Sequence, residues 1–230
     1  MLKKSLRVMV IGVGGAGCNA ISRMIHDQIP GVEYVAVNTD RKDLEGCLST
    51  EKLVIGSKIV RGRTTGGNVD LGKRAAQESL KEIEDIISDT DILFITAGLG
   101  GGTGTGATPV IAELARKKGI YTVGVFTLPF SFEGESRVER AAEGIQVLKK
   151  KVDTLMVIAN DKLNSVVEED ATFNDAMNMA NDVLSNVVKR VSSIAFSNGE
   201  EPLDINEVRQ AIAQGESALG SIYQHIHDGC

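Results

Sequence analysis

Two glycine-rich runs hold the residues of this sequence best suited to chemistry, and each stands where a strand-like run meets a helix-like one. Gly100-Gly101-Gly102-Thr103-Gly104-Thr105-Gly106 puts five glycines and two threonines into seven residues, after the apolar run Ile92 to Ala97 and before the helix-like segment Ala107 to Lys118. Such a junction builds an anion site. Bare backbone N–H groups converge on the ligand, and the helix N-terminus adds partial positive charge. Glycine allows close approach of the backbone, and the threonine hydroxyls can donate or help hold a metal ion. A purely structural turn has little use for so many glycines, so a phosphate cradle is expected here.

The second run, Gly12-Val13-Gly14-Gly15-Ala16-Gly17, satisfies G-x-G-x-x-G between a strand and a helix, and Asp40 follows near the end of the next strand-like run. Taken alone, that is the dinucleotide fingerprint, acid included, and it points to an NAD-dependent oxidoreductase. The two runs together point elsewhere. Phosphate-directed loops from adjacent strands suit a chain of two or three phosphates better than one bridging pyrophosphate, and Gly100–Gly106 has no role in the dinucleotide reading. Neither run fits G-x-x-x-x-G-K-[ST], so the P-loop is excluded. A third segment, Arg61-Gly62-Arg63-Thr64-Thr65-Gly66-Gly67-Asn68, could close over a terminal phosphate; it is also what an ordinary surface turn looks like.

The elements that must carry these loops alternate. Leu6 to Val13, Tyr34 to Val37, Lys52 to Ile55, Ile92 to Ala97, Tyr121 to Thr127 and Leu155 to Ala159 read as short buried strands. Ala16 to Ile29, Val69 to Ser88, Thr108 to Lys117 and Glu135 to Lys150 read as helices between them. That pattern predicts an α/β fold: a Rossmann-like, doubly wound parallel sheet covered on both faces. Asp175 to Phe196 reads as one long helix, broken by Ser197-Asn198-Gly199-Glu200-Glu201-Pro202, with a shorter helix from Leu203 to Gln214. The expected organisation is a nucleotide-binding domain over 1–174, a long central helix over 175–197 and a remainder over 198–230.

Bulk properties narrow the function class. The 230 residues suffice for a sizeable core, the net charge is −6 and tryptophan is absent, which argues against a nucleic-acid groove or a base-stacking platform. No apolar run reaches the ~18 residues needed to span a membrane, and the start of the chain lacks a signal-peptide pattern. The three cysteines, Cys18, Cys47 and Cys230, are widely spaced without metal-ligand spacing, which suggests free thiols in a reducing cytoplasm. His225, His227 and Cys230 near the end are too few for a zinc site, so no protein-held metal is expected.

At this point the ordered motifs resemble the nucleotide-binding domain of FtsZ, the prokaryotic relative of tubulin. The matching blocks are Val10 to Ala20, Val37-Asn38-Thr39-Asp40, Gly98 to Ala107, Thr127-Leu128-Pro129-Phe130 with Phe132-Glu133-Gly134, Asn160-Asp161-Lys162-Leu163, and Ala180-Asn181-Asp182-Val183-Leu184. The resemblance covers roughly residues 6 to 220 and implies a cytoplasmic, GTP- or GDP-binding cytoskeletal GTPase of cell division, with Mg²⁺ on the phosphates. It implies that Gly14, Gly15, Ala16, Gly17, Cys18 and Asn19 meet the phosphates and nearby sugar. Gly101, Gly102, Thr103, Gly104, Thr105 and Gly106 would hold the β- and γ-phosphates. Glu133 and Arg137 would sit at the ribose and the guanine edge; without the family they read as an i,i+4 surface salt bridge. Asn160, Asp182 and the adjacent Asn181 would read guanine, whose N1–H and exocyclic amine suit a carboxylate.

Hydrolysis in that family is completed between subunits, by acids on a loop after the central helix. The corresponding stretch here is Pro202-Leu203-Asp204-Ile205-Asn206-Glu207-Val208. The resemblance makes Asp204 and Glu207 the catalytic acids, positioning or activating the attacking water. An acidic N-cap at Asp204 with Glu207 three residues on is the plain capping alternative. Glu207 stands where FtsZ usually has Asp, and Pro202 replaces an Asn, so slow turnover is expected. FtsZ also continues into a second β-rich domain and a tail that binds membrane adaptors; the second domain is expected to be missing here. The expected partners are other copies head to tail or other FtsZ-type subunits, with membrane contact only through adaptors and none with nucleic acid. The alternative is a non-polymerising GTP/GDP-binding module that caps or regulates FtsZ-type filaments.

Overall fold

The computed structural model describes residues 6–27, 29–163 and 205–210, together with positions 175, 178, 179, 181, 182, 185, 186, 188, 189 and 192. β1 (Val8–Val13), β2 (Val32–Asn38), β3 (Glu51–Val54), β4 (Ile92–Gly98), β5 (Tyr121–Leu128) and β6 (Thr154–Ala159) form one sheet. All its pairings are parallel, in the order β3-β2-β1-β4-β5-β6. This is the doubly wound order expected from the sequence, and it reverses between β1 and β4, where such sheets open a crevice at the strand carboxyl ends. The helices are α1 (Gly14–His26), α2 (Arg41–Gly46), α3 (Val69–Glu78), α4 (Leu80–Ile87), α5 (Gly102–Lys117), α6 (Glu135–Leu148) and the single turn α7 (Asn160–Leu163).

Strand alternation divides the core. Val8, Val10, Ile92, Phe94, Val123 and Val125 point to one face, where they meet Ala20, Ile21 and Met24 of α1 and also Val188 and Val208. Met9, Ile11, Leu93, Ile95 and Phe126 point to the other, against Ala75, Ile83, Ile111 and Ala141 of α3 to α6. Burial on both faces explains why β1, β4 and β5 read as continuous apolar runs. The described positions from 175 to 192 are all helical, with Ser185, Val188 and Ser192 buried, a helical spacing that fits the expected long helix. Residues 205–210 are helical too; the expected break at 197–202 lies outside the described residues.

Two expectations are corrected. Val69 to Ser88 is not one helix: α3 ends at Ser79, which takes φ −101° and ψ 23°. Its hydroxyl there accepts the Gly56 N–H at 3.2 Å. The second correction concerns the glycine run. Gly102 to Gly106 is already helical, so α5 starts six residues before the expected Thr108. The physical reason is close packing. A Cβ on Gly106 would stand 2.1 Å from the Val69 carbonyl oxygen, and one on Gly72 would stand 2.2 Å from that of Gly102, so α3 and α5 touch through backbone. Glycine, a poor helix former by propensity, is retained in this helix because nothing larger fits.

Candidate functional site

A cavity of about 280 Å³ opens at the carboxyl ends of β1, β4 and β5, walled by Gly14, Gly15 and Ala16 on one side and by Gly101, Gly102, Thr103 and Gly104 on another. The two long helices that begin here, α1 and α5, begin bare. α1 has Val13 at its N-cap and α5 has Gly101; neither is capped by a side chain, and neither has an acid in its first turn. Nearby α2 and α3 are capped in the ordinary way, by the side chains of Asp40 and Asn68. An α-helix leaves its first N–H groups without intrahelical partners. Two such ends meeting at one cavity, each equivalent to roughly half a positive charge, form a receptor for a multiply charged anion.

The walls are rigid. Gly100 takes φ +91°, its N–H donates to Thr105 Oγ1 at 2.8 Å, and its carbonyl accepts from Arg140 Nε at 2.9 Å. The Thr103 hydroxyl lies 2.8 Å from that of Thr39 and 3.3 Å from that of Thr65, all three buried. This hydroxyl cluster joins the end of β2, the Arg61–Asn68 segment and the start of α5. Thr64, Thr65 and Gly67 therefore line the same cavity, as do Asp40 and Asp43. Asp40 Oδ1 is engaged by the Lys42 and Asp43 N–H groups at 2.9 and 3.4 Å. That capping accounts for the acid which makes the sequence look like a dinucleotide fingerprint.

Farther along the cavity, Asn160 is 3% exposed and its Oδ1 has no hydrogen-bond partner among the described residues. A buried amide oxygen without a donor is costly, and this one lines the cavity. Glu133 and Arg137 line it as well, joined as an i,i+4 ion pair. Glu133 also accepts the Phe130 N–H at 2.9 Å.

Other residues proposed from sequence lie outside this wall. A Cβ on Gly17 would stand 2.7 Å from the Gly12 carbonyl carbon and from the Thr96 carbonyl oxygen, so its contacts are with β1 and β4. The Cys18 thiol is buried, and Asn19 is exposed on α1. Thr105 and Gly106 line a different and larger groove of about 660 Å³, between α3, α5 and α6. That groove runs along the sides of the helices, and the helix starts that line it, α3 at Val69 and α4 at Leu80, carry first-turn acids in Asp70 and Glu82, so the smaller cavity is the better anion receptor. Asn181 and Asp182 are helical and partly exposed, and Asp182 pairs with Arg23 Nε at 2.6 Å, across α1. Glu207 is helical and exposed, while Asp204 lies outside the described residues.

Glu207 belongs to the far pole of the molecule. Val208 beside it is fully buried in the α1-side core, and Arg209 stacks 5.1 Å from the ring centroid of Tyr121, the first residue of β5. The cavity takes Leu128, the last residue of that strand. Eight residues of extended chain at ~3.3 Å each put roughly 25 Å between them. Sequence reasoning gave no role to Thr39 or Arg140; only the register that brings β2 and α6 to the glycine run identifies them.

The tubulin/FtsZ family model, GTPase domain, matches residues 7–168. Among solved structures, the chain resembles an empty FtsZ dimer from M. jannaschii at 42% identity and a TM-score of 0.84, covering 90% of this chain and 60% of that one. It resembles CetZ2 from Haloferax volcanii, a GTPγS-bound protofilament, at 25% identity and 0.72, covering 81% and 58%. With CetZ1 from the same organism, a GDP-bound monomer, the values are 27% and 0.71, covering 79% and 58%. The chain thus spans about 60% of the length of these relatives. Matched over most of its described length and carrying the two bare helix ends at the sheet's crevice, it belongs to the tubulin/FtsZ family, as a GTPase domain.

Proposed function

We propose that this chain binds GTP and GDP in the cavity between α1 and α5 and hydrolyses GTP where a second subunit meets it, as a cytoskeletal GTPase of cell division. The observation that carries the binding half is the pair of bare helix N-termini. The N–H groups of Gly14 to Ala16 and of Gly101 to Gly104 take the phosphates, with the Thr103 hydroxyl. The orphaned Asn160 Oδ1 accepts a donor from the guanine ring, with Asp182 and Asn181 completing that reading from the central helix. Glu133 and Arg137 border the ribose. Mg²⁺ on the phosphates would neutralise charge there; Asp40, Asp43 and the Thr65 and Thr103 hydroxyls are the oxygen donors on this wall that suit such an ion.

The hydrolytic half rests on the two poles. Glu207, with Asp204 before it, is separated by the length of the sheet from its own chain's cavity. If these acids position the attacking water, they serve a neighbour's GTP, and subunits stack head to tail. The relatives described as a dimer and a protofilament favour such stacking.

A concentration series tests this. GTP turnover should be absent below a critical protein concentration and rise above it, in step with sedimentable assemblies. Turnover strictly proportional to protein, with all protein in the supernatant, refutes the shared site. A mixture separates the roles further. Glu207→Gln should bind GTP normally yet turn it over poorly, and adding Thr103→Ala subunits should recover part of the activity, because each supplies what the other lacks. The second reading, a GTP/GDP-binding module that caps or regulates FtsZ-type filaments, is favoured by Pro202 and Glu207 at positions where FtsZ usually has Asn and Asp. It expects nucleotide binding with no turnover at any concentration.

A further inference from the structure

Cys18 and Cys47 lie far apart in the sequence, yet the fold brings them together at the corner where α1 passes the end of α2. Cys18 is 2% exposed and Cys47 5%. Cys47 is the C-cap of α2, its N–H bonded to the Leu44 carbonyl oxygen at 3.2 Å. From there its Sγ reaches the Cys18 carbonyl oxygen at 3.3 Å. The two thiols are within hydrogen-bonding contact of each other. Ser22 Oγ braces the same corner: it lies 3.0 Å from the Cys18 carbonyl oxygen and 3.4 Å from Cys47 Sγ, and it accepts the Leu48 N–H at 3.1 Å. Both cysteines are free thiols.

The surroundings make the two sulfurs unequal. The hydrogen bond from Cys18 is the largest influence on Cys47, and it lowers that thiol to about 5 against the opposing effect of burial; Ser22, the backbone at Ser49 and the charge of Lys52 add to the lowering. The same hydrogen bond, then burial and the nearby Cys47 and Asp43 charges, raise Cys18. Of the two, Cys47 is therefore the sulfur more readily deprotonated and Cys18 the one held as a thiol. A thiolate next to a second thiol is the arrangement of a redox-active pair. Neither sulfur lines the nucleotide cavity, although Asn38, which does, reaches Cys18 Sγ with its Nδ2 at 4.0 Å.

We propose that Cys18 and Cys47 are a site of reversible disulfide formation driven by a small hydroperoxide, tying the helix that heads the nucleotide cavity to the α2–β3 corner. In the first step Cys47 Sγ⁻ attacks one peroxide oxygen. An S–O bond forms, the O–O bond breaks, and the departing hydroxide takes a proton to become water. In the second step Cys18 gives up its thiol proton and its sulfur attacks Cys47 Sγ. The S–S bond forms, the S–O bond breaks, and the leaving hydroxide takes that proton as a second water. Two thiols are oxidised by two electrons in all, and one peroxide is reduced. The low exposure of both sulfurs restricts the oxidant to molecules of about that size, and an external dithiol reverses the reaction by exchange.

The test uses the full chain and does not depend on nucleotide binding. Protein freed of reductant is treated with a few equivalents of hydrogen peroxide, and free thiols are counted. Non-reducing tryptic digestion then locates any crosslink, because Cys18 and Cys47 fall in the separate peptides 8–23 and 43–52. The expected result is the loss of two thiols of three, with one linked peptide pair that dithiothreitol separates. Cys230→Ser should behave in the same way. Cys47→Ala should leave Cys18 as a free thiol under identical treatment. Peroxide that leaves all thiols intact, that oxidises Cys47 or Cys18 singly without linking them, or that joins either to Cys230 overturns the proposal.

Discussion

Gly101→Ala and Gly106→Ala change one hydrogen to a methyl at two glycines of the same run, and the structure assigns them opposite phenotypes. A Cβ built on Gly101 has nothing within 4 Å, and its φ of −81° is one that alanine adopts freely. The folded protein should tolerate the change and gain slightly, by about 0.4–1 kcal/mol from the reduced freedom of the unfolded chain. The methyl would, however, stand at the wall where the first N–H groups of α5 meet the ligand. Losing one charge-assisted hydrogen bond costs roughly 1.5–3 kcal/mol, which is about a tenfold to hundredfold loss of GDP affinity. At Gly106 the built Cβ lies 2.1 Å from the Val69 carbonyl oxygen and 2.6 Å from the Lys73 nitrogen. Both are backbone, so α3 and α5 must part. Overpacking of that kind costs about 1–3 kcal/mol or more, against about 1 kcal/mol gained in helix propensity. Because backbone cannot swing aside, the upper end applies, and about 3 kcal/mol less about 1 leaves a net loss near 2 kcal/mol, which lowers Tm by roughly 4–8 °C in a domain of this size. Titration with a fluorescent GDP analogue and thermal unfolding, run on both variants, give a crossed result if the reasoning holds. Normal affinity in Gly101→Ala refutes the phosphate cradle, and wild-type stability in Gly106→Ala refutes the backbone contact.

Thr103→Ala removes the hydroxyl that bridges Thr39 and Thr65 and faces the cavity; GDP affinity measured by calorimetry should fall at least tenfold, and Thr103→Ser should recover most of it. Asp182→Asn turns the carboxylate proposed to read guanine, and paired with Arg23, into an amide; competition binding should show the preference for GDP over ADP shrinking at least tenfold. Arg23→Ala leaves the carboxylate in place and should weaken GDP binding only severalfold, a difference that separates reading the base from positioning the reader. Glu113, between Lys117 and Lys151, is held down to about 2 from its usual 4.5, first by the Lys117 hydrogen bond and then by that from Lys151. A lowered folded value gives stability that is present above pH 4.5 and lost as pH falls toward 2. The side chain is 44% exposed, so solvent screening keeps the contribution to about 0.5–1 kcal/mol. Glu113→Gln should thus be less stable by that amount in urea at pH 7, with the difference vanishing near pH 2–3.

The sheet was legible because its strands are buried on both faces, and a run such as Ile92-Leu93-Phe94-Ile95 has no other plausible place in a chain of this length. The glycine run was legible as an anion site and illegible as a helix. Propensity scores Gly102, Gly104 and Gly106 as loop, whereas their cause is tertiary: Thr65 and Asn68 crowd Gly102, the Gly98 carbonyl crowds Gly104, and Val69 and Lys73 crowd Gly106. Ser79 hid its break for the same reason, since its hydroxyl answers Gly56, distant in the chain. Cys18 and Cys47 looked unrelated by spacing, and only the path of α2 back over α1 joins them.

Asp40 shows the reverse failure, a residue that sequence reads too well. Its position after β2 matches the acid of a dinucleotide site, yet its Oδ1 is engaged in capping α2. What separates the two readings is electrostatic. A dinucleotide needs one helix end for one pyrophosphate, whereas this cavity gathers two, with no side-chain cap and no first-turn acid on either. An uncapped end costs ~1 kcal/mol relative to a capped one, and two facing the same space also repel each other. That arrangement is unfavourable in the free protein and is relieved by a ligand with more than one negative charge. The cradle is thus destabilised in the direction that favours binding. Glu207 stands roughly a strand length away from it within one chain. In the proposed function, binding therefore belongs to the single chain, while turnover waits on the contact that brings a second chain's far pole to this one.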